Sequence, residues 1–304
     1  MSIFQGHEIH ELRSGTSLVR MAPEFGGRLL SWDVDGEQVI HWPDNADWGE
    51  VARVRGGNPL LFPFVGKHFV DGKVGRWRDA AGVVRDLIHH GFARSEPFTA
   101  HPSADGAALT MRLESSATTR AGYPFDFRFE VTYRVVDPRT LDVTLTTTKL
   151  GNVPLPYYAG HHFYFAVPHG VRGAATLDLP PAQRRYLRDD GAVSAPEPDE
   201  KRYKLDDARL QDCFHCLDSG APSQPVRLAV PGHRNAVELV LDVPGSIPWY
   251  AVTTWTEKSD SDFYCVEPWI GLPNAIHHGI GLRQVAPGAA ETAAMRLRVV
   301  PLAG

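Results

Sequence analysis

Three short strings in this chain place ionisable side chains where a strand pattern would bury them. Phe263-Tyr264-Cys265-Val266-Glu267-Pro268-Trp269 carries one carboxylate into apolar company, with proline and an indole directly behind it. Such surroundings desolvate a carboxylate and raise its pKa towards the range in which a general base works near neutrality. His90, in Ile88-His89-His90-Gly91-Phe92-Ala93-Arg94, and His162, in Gly160-His161-His162-Phe163-Tyr164-Phe165, each sit beside a second histidine and close to a glycine. Successive side chains on a strand point to opposite faces, so only one of each pair serves a given face. A lone glutamate at a strand end is ordinarily solvated or paired, and a lone histidine ordinarily makes a structural hydrogen bond. One carboxylate and two imidazoles converging on a small polar ligand is the chemical alternative, and three such strings in one chain favour it. Trp269 adds a flat apolar face for the C–H groups of a pyranose.

Other chemistries fit less well. The His-His pairs at His89, His161 and His277, with Glu267, contain zinc-ligand types, but adjacent strand residues point apart and neither His-x-His nor His-Glu-x-x-His spacing occurs. No metal is expected, and His277-His278 reads as part of a solvated loop. Cys213, Cys216 and Cys265 are too few for a disulfide framework, and Cys213-Phe214-His215-Cys216 has no second cysteine pair to complete a metal site, so all three read as structural thiols. Gly66-Lys67 is followed by His68 and lacks the first glycine of a phosphate-binding loop, Gly279-Ile280-Gly281 lacks the third glycine of a dinucleotide fingerprint, and no Gly-x-Ser-x-Gly elbow is present.

The elements that position these residues read as strands. Period-two or β-branched runs occur at 16–21, 28–34, 107–114, 125–136, 141–149, 162–167, 237–243, 250–255, 262–266 and 292–300. Phe125, Phe127, Phe129, Val131 and Tyr133 fall on one face while Asp126, Arg128, Glu130 and Thr132 fall on the other, the pattern of a sheet with one wet side. Asp137-Pro138-Arg139-Thr140 has hairpin chemistry. No window of a dozen residues keeps a 3.6-residue apolar period, and the 28 glycines and 24 prolines fall between short strands, as a large antiparallel sandwich requires. Arg188 to Glu200 reads as a long surface loop, and Asp206 to Leu210 as a helical turn.

The chain has 304 residues, within reach of one all-β domain, and residues 1–304 are expected to form one. A net charge of −5 argues against a general electrostatic hold on nucleic acid or anionic lipid. The N-terminus lacks a positive segment followed by an apolar run, and no window nears the ~20 apolar residues of a membrane span, so a cytoplasmic protein is expected.

Four strings resemble the aldose 1-epimerase (galactose mutarotase-like) superfamily: Arg55-Gly56-Gly57-Asn58-Pro59-Leu60-Leu61-Phe62-Pro63, His90-Gly91-Phe92-Ala93-Arg94, Gly160-x-His162-x-Tyr164-Phe165 and Glu267-Pro268-Trp269. Each is weak alone; four in the family's order, from about Gly26 to the last strand, are specific. The resemblance implies an antiparallel supersandwich with an open sugar-binding cleft, acting as a monomer or homodimer and exchanging the α and β anomers of a hexose without a cofactor. It implies that Glu267 takes the proton of the anomeric hydroxyl, that His162 protonates the ring oxygen, and that His90 steadies charge there. Lys67, Arg94, Asp212, Trp269 and Arg55 would hold substrate. The raised carboxyl would face a histidine near its ordinary pKa of ~6.5. Two departures stand out. Lys67 occupies a position where many members carry arginine, and an ammonium makes no bidentate contact. Phe163 replaces a common proline.

Arg55 and Arg94 resemble positions that hold phosphate in the hexose-6-phosphate branch, while Glu267-Pro268-Trp269 leans towards the unphosphorylated branch. A non-catalytic carbohydrate-binding relative would need stacking aromatics such as Trp77 and Trp269 but no matched acid and base. A glycoside hydrolase would need a second carboxylate, for which Asp212 is the candidate, and would leave the histidines without a role.

Overall fold

The computed structural model describes residues 1–218 and 224–302. Two large antiparallel sheets dominate it. The first has nine strands in the order Thr99–Pro102, Ala108–Glu114, Phe127–Asp137, Thr140–Lys149, Ala290–Pro301, Asn235–Val240, Val226–Ala229, Thr176–Asp178 and Arg202–Lys204. Its central hairpin shows why these residues form strands: from Phe127 to Val135 every second side chain is buried and those between are half-exposed, so the pleat itself sorts core from solvent. Asp137 fixes the connecting turn by accepting from the Arg139 N–H at 2.7 Å.

The second sheet has thirteen strands. Along its main path run Ser2–Phe4, His7–Ser14, Ser17–Ala22, Arg28–Val34, Glu37–Ile40, Tyr164–Ala166, Phe263–Trp269, Ala251–Trp255, Cys213–Leu217, Ala182–Tyr186 and Glu197–Pro198. Gly160–His161 also pairs with Phe263–Trp269 and brings in the short strand Leu60–Leu61. All seven residues of Phe263–Trp269 are buried, as expected of a strand covered on both faces. One contiguous core joins the sheets, including Trp32 and Ile40 of the second and Phe129, Val143 and Leu297 of the first.

The ten strand runs read from the sequence are all present. Boundaries differ by a few residues, and Phe125 lies just outside its strand and only half-buried. Ala208–Leu210 forms a short 3-10 turn capped by Asp207. The stretch from Arg188 to Glu200 is mostly loop, but it also contributes the edge strand Glu197–Pro198. Two short helices lie outside the sequence reading. Ala117–Gly122 is held by a reciprocal cap between Ser116 and Thr119. Ala275–His278 corrects the expectation of a plain loop, although His277 and His278 are exposed as anticipated. No helix among the described residues is long and apolar enough to cross a membrane.

One tight turn sets where the His90 string can lie. His90 and Gly91 both have left-handed backbone, with φ of 67° and 73°, and a Cβ on Gly91 would stand 2.1 Å from the Phe62 carbonyl oxygen. Glycine alone allows this loop to press against Phe62. Gly91→Ala is therefore expected to cost ~2–4 kcal/mol in urea denaturation, combining left-handed strain with a backbone clash. Gly36→Ala, at φ 79° with open space around it, should lose only about 1 kcal/mol.

Candidate active site

An open cleft of about 710 Å³ runs over the middle of the second sheet. All eight residues singled out from the sequence line it: Arg55, Lys67, His90, Arg94, His162, Asp212, Glu267 and Trp269. Its floor follows from strand register. Glu267 pairs across the ladder with Thr253, and Thr253 with Phe214. Alternation then carries Trp269, Trp255 and Asp212, each two residues along its strand or just before it, to the same side. The floor is thus a patch of three neighbouring strands, with Glu267 at one edge and Asp212 towards the other.

His162 enters from the opposite flank of Glu267. It lies between Gly160–His161 and Tyr164–Ala166, which both pair with Phe263–Trp269 on the side away from Ala251–Trp255. The two adjacent histidines divide as alternation predicts: His162 lines the cleft, and His161 is wholly buried behind it. Asn58 fixes both. Its Oδ1 accepts from the His162 backbone N–H at 2.8 Å, and its Nδ2 lies 2.8 Å from both the Tyr133 hydroxyl and His161 Nδ1. Tyr164 stacks flat under the His162 ring, with centroids 4.8 Å apart at 9°.

His162 Nδ1 and Glu267 Oε1 are 3.4 Å apart, and Glu267 is 1% exposed. Burial pushes the Glu267 carboxyl well above its ordinary value, helped by Asp212 and opposed by the Trp269 indole N–H. Burial also pushes His162 well below its ordinary value, reinforced by Arg94, His89, Arg28 and Arg55. This corrects the expectation of a histidine near its unperturbed pKa: in a dry, cationic corner the neutral imidazole wins. The pair carries a single proton, and burial favours its place on Glu267, beside a neutral His162 whose Nδ1 has no hydrogen-bond partner.

His90 closes the wall above. Its Nδ1 accepts from the Gly66 N–H at 3.0 Å, which leaves the proton on Nε2 as a donor. Its ring stands 5.5 Å from His162 and 5.8 Å from Trp269, edge to face in both cases. Burial, then His89 and His162, keep His90 neutral.

The basic residues ring the mouth. Arg55 donates to Glu257 at 2.9 Å and lies over Trp255. Arg94 donates from Nη2 to the His89 carbonyl at 3.0 Å. Lys67 and Arg188 are exposed on the rim. Against them stand Asp189 and Asp212, the latter at a left-handed φ of 52°.

Unpartnered polar atoms single out this cleft. Arg94 Nε, His162 Nδ1, Thr253 Oγ1 and Glu267 Oε2 are buried without a hydrogen-bond partner, and all four belong to its lining. Leaving such groups unpaired costs about 1–3 kcal/mol each, so a concentration of them marks a place prepared for a polar ligand. A second cleft of about 670 Å³, around Trp249, Tyr250 and Arg185, has none in its lining.

One metal-competent group occurs among the described residues: donor atoms of His162, Cys265 and Glu267 lie within 4.8 Å of one another. Burial holds the Cys265 thiol well above its ordinary pKa, and the carboxyls of Glu267 and Glu257 oppose its ionisation further. The donor set is thus protonated at both its sulfur and its carboxyl, a poor match to a resident cation.

Trp77 is corrected: it is 1% exposed, packs edge-on against Phe64 and donates to the Gly122 carbonyl, so Trp255 and Trp269 are the tryptophans of the cleft. Asn58, Thr253, Phe214 and Trp255 are site residues that the sequence reading does not single out. Asn58 lies inside the Arg55–Pro63 string, but the others carry no local signal; only cross-strand pairing reveals them.

Comparison with known proteins bears on family and fold. The family described as aldose 1-epimerase matches residues 8–297. An Escherichia coli (strain K12) protein named "Putative glucose-6-phosphate 1-epimerase" is 26% identical over 257 residues, covering 80% of this chain and 76% of its own. In fold, the chain resembles a galactose mutarotase-like protein from Clostridium acetobutylicum, with a TM-score of 0.80, 14% identity and coverage of 99% and 98% of the two chains. A galactose mutarotase related enzyme from Lactobacillus acidophilus superposes with a TM-score of 0.77 at 20% identity, over 97% of this chain and all (100%) of that one.

Asn58→Ala strips the His162 N–H, Tyr133 and His161 of their shared partner, and should cost ~2–4 kcal/mol in denaturant unfolding. A loss under about 0.5 kcal/mol would mean that the Asn58 network does not hold the His161-His162 backbone.

Proposed function

Since the chain belongs to the aldose 1-epimerase family, we propose that it is a mutarotase, exchanging the α and β anomers of a hexose by acid–base ring opening in the Glu267 cleft. One observation carries this reading: a desolvated carboxyl and a desolvated imidazole, 3.4 Å apart, each with an unpartnered atom and both lining the same cleft. The anomeric hydroxyl and the ring oxygen share one carbon, so the acid and base that serve them must lie within reach of one hemiacetal, as this pair does.

The proton count balances within the pair. For ring opening, Glu267 as carboxylate accepts the proton of the anomeric hydroxyl while His162 as imidazolium delivers one to the ring oxygen, and the C1–O5 bond breaks. The pair then holds a neutral carboxyl and a neutral imidazole around an open-chain aldehyde. After rotation about C1–C2, both transfers run backwards onto the other face. Burial favours the neutral pair both before and after ring opening, so the catalytic ion pair forms by transfer of the Glu267 proton to His162 once the sugar's polar groups are in place. The Nε2–H of His90 is available to hydrogen-bond the sugar near the ring oxygen. Trp269 supplies a stacking face, and Asp212 a carboxylate for a distal hydroxyl. Positioned acid–base catalysis of this kind contributes about 10²- to 10⁴-fold. The single core spanning both sheets supports reading residues 1–304 as one functional unit.

A further observation favours a phosphorylated hexose over a free one. Of the cations around the mouth, Arg55 pairs with Glu257 and Arg188 with Asp190, which leaves Lys67 and Arg94 without an ion pair among the described residues, and arginine suits bidentate contact with phosphate. The Escherichia coli relative's name points the same way. This reverses the preference drawn from Glu267-Pro268-Trp269 alone.

Glu267→Gln and His162→Asn should each lower the anomer-exchange rate about 10²- to 10⁴-fold while sugar binding is retained, as read by two-dimensional exchange NMR on hexose anomers. Unchanged exchange in Glu267→Gln would refute the assignment. The rate should be flat across neutral pH. It should fall on the acid side only when His162, lowered by burial, takes a second proton, and on the alkaline side only when Glu267, raised by burial, loses the shared one. Arg94→Gln should raise KM for a hexose 6-phosphate more than for the free hexose.

A further inference from the structure

We infer that Thr253 reads the hydroxyl on the carbon next to the anomeric centre, so that the cleft prefers an aldose with oxygen at C2 over its 2-deoxy counterpart. This rests on the anomer-exchange reading and adds a specificity residue to it.

Register places Thr253 directly across the ladder from Glu267. It is 4% exposed and lines the cleft, and its Oγ1 is buried with no hydrogen-bond partner among the described residues. The neighbouring Thr254 shows the contrast: its hydroxyl donates to the Leu210 carbonyl at 2.7 Å and meets His215 Nε2 at 3.1 Å. A buried hydroxyl left bare is costly unless a ligand completes it.

The position says which ligand atom completes it. The strand bearing Glu267 has two flanks, with His162 on one and Thr253 on the other. If the anomeric hydroxyl meets Glu267 and the ring oxygen turns to His162, the remaining ring neighbour of C1 turns to the Thr253 side. That neighbour is C2. Phe214 and Trp255, which flank Thr253 on the floor, offer apolar surface, so its hydroxyl is the polar group within the floor that can meet the C2 oxygen.

The test compares D-glucose 6-phosphate with 2-deoxy-D-glucose 6-phosphate, and the free sugars alongside, in wild type, Thr253→Val and Thr253→Ser. Exchange rates are divided by each sugar's uncatalysed rate, because 2-deoxy sugars open faster unaided. Binding is measured in parallel by calorimetry. Wild type should favour the 2-hydroxy sugar about tenfold, the scale of one hydrogen bond in a shielded site. Thr253→Val, close in volume and removing an unpartnered hydroxyl, should bring both ratios near one through loss on the 2-hydroxy sugar alone, and Thr253→Ser should restore them. Ratios that Thr253→Val leaves unchanged would overturn the inference while leaving the mutarotase reading intact. A wild type that accelerates neither sugar would overturn that reading, and the binding ratio would then decide the role of Thr253.

Discussion

Removing water from a carboxyl group is expensive, and the arrangement around Glu267 is organised by that cost. Pro268 and Trp269 follow it, Cys265 and Val266 precede it, and the whole strand is covered on both faces. A carboxylate so placed either finds a cation or keeps its proton. Here no arginine or lysine among the described residues pairs with it and a neutral imidazole sits beside it, so the proton stays. The same desolvation lowers His162, so two groups that would differ by about two pKa units in water are driven in opposite directions, the carboxyl up and the imidazole down. The largest cause of both shifts is the burial itself rather than any single contact.

The rest of the fold serves that pair by register. Antiparallel neighbours on each side of Phe263–Trp269 bring His162 to one flank and Thr253 to the other, and a one-residue slip of either strand would turn the side chain to the far face. Asn58 and Tyr164 then remove the remaining freedom of His162, one through its backbone and one through its ring. The left-handed turn at His90-Gly91 works at shorter range: it lets a loop press against Phe62 and lowers an imidazole into the cleft wall. Lys67 and Arg188 lie outside this dry centre, exposed on the rim of the cleft.

Much of this is legible in the sequence. The ten strands announce themselves through alternation, and Glu267 through its apolar company. The division between His161 and His162 follows from strand geometry alone. Partnership between distant strands is what a sequence does not display. Thr253 lies in Ala251–Trp255 with nothing to separate it from Thr254, yet one residue lines the cleft with its hydroxyl unpartnered and the other's hydroxyl is tied to Leu210. Trp77 reads as a sugar platform because tryptophan often is one, and its burial against Phe64 and Tyr123 depends on contacts far along the chain. The low pKa of His162 is hidden for a related reason: a sequence shows neighbours in order, whereas desolvation is set by neighbours in space.

The central claim is that Glu267 holds a proton at neutral pH, and carbon-13 NMR of protein labelled at its glutamate side-chain carboxyls tests it most directly. The account predicts one carboxyl resonance that stays at the protonated position through pH 7 and is missing from Glu267→Gln. A spectrum in which every glutamate ionises in the ordinary range near 4.5 would contradict it.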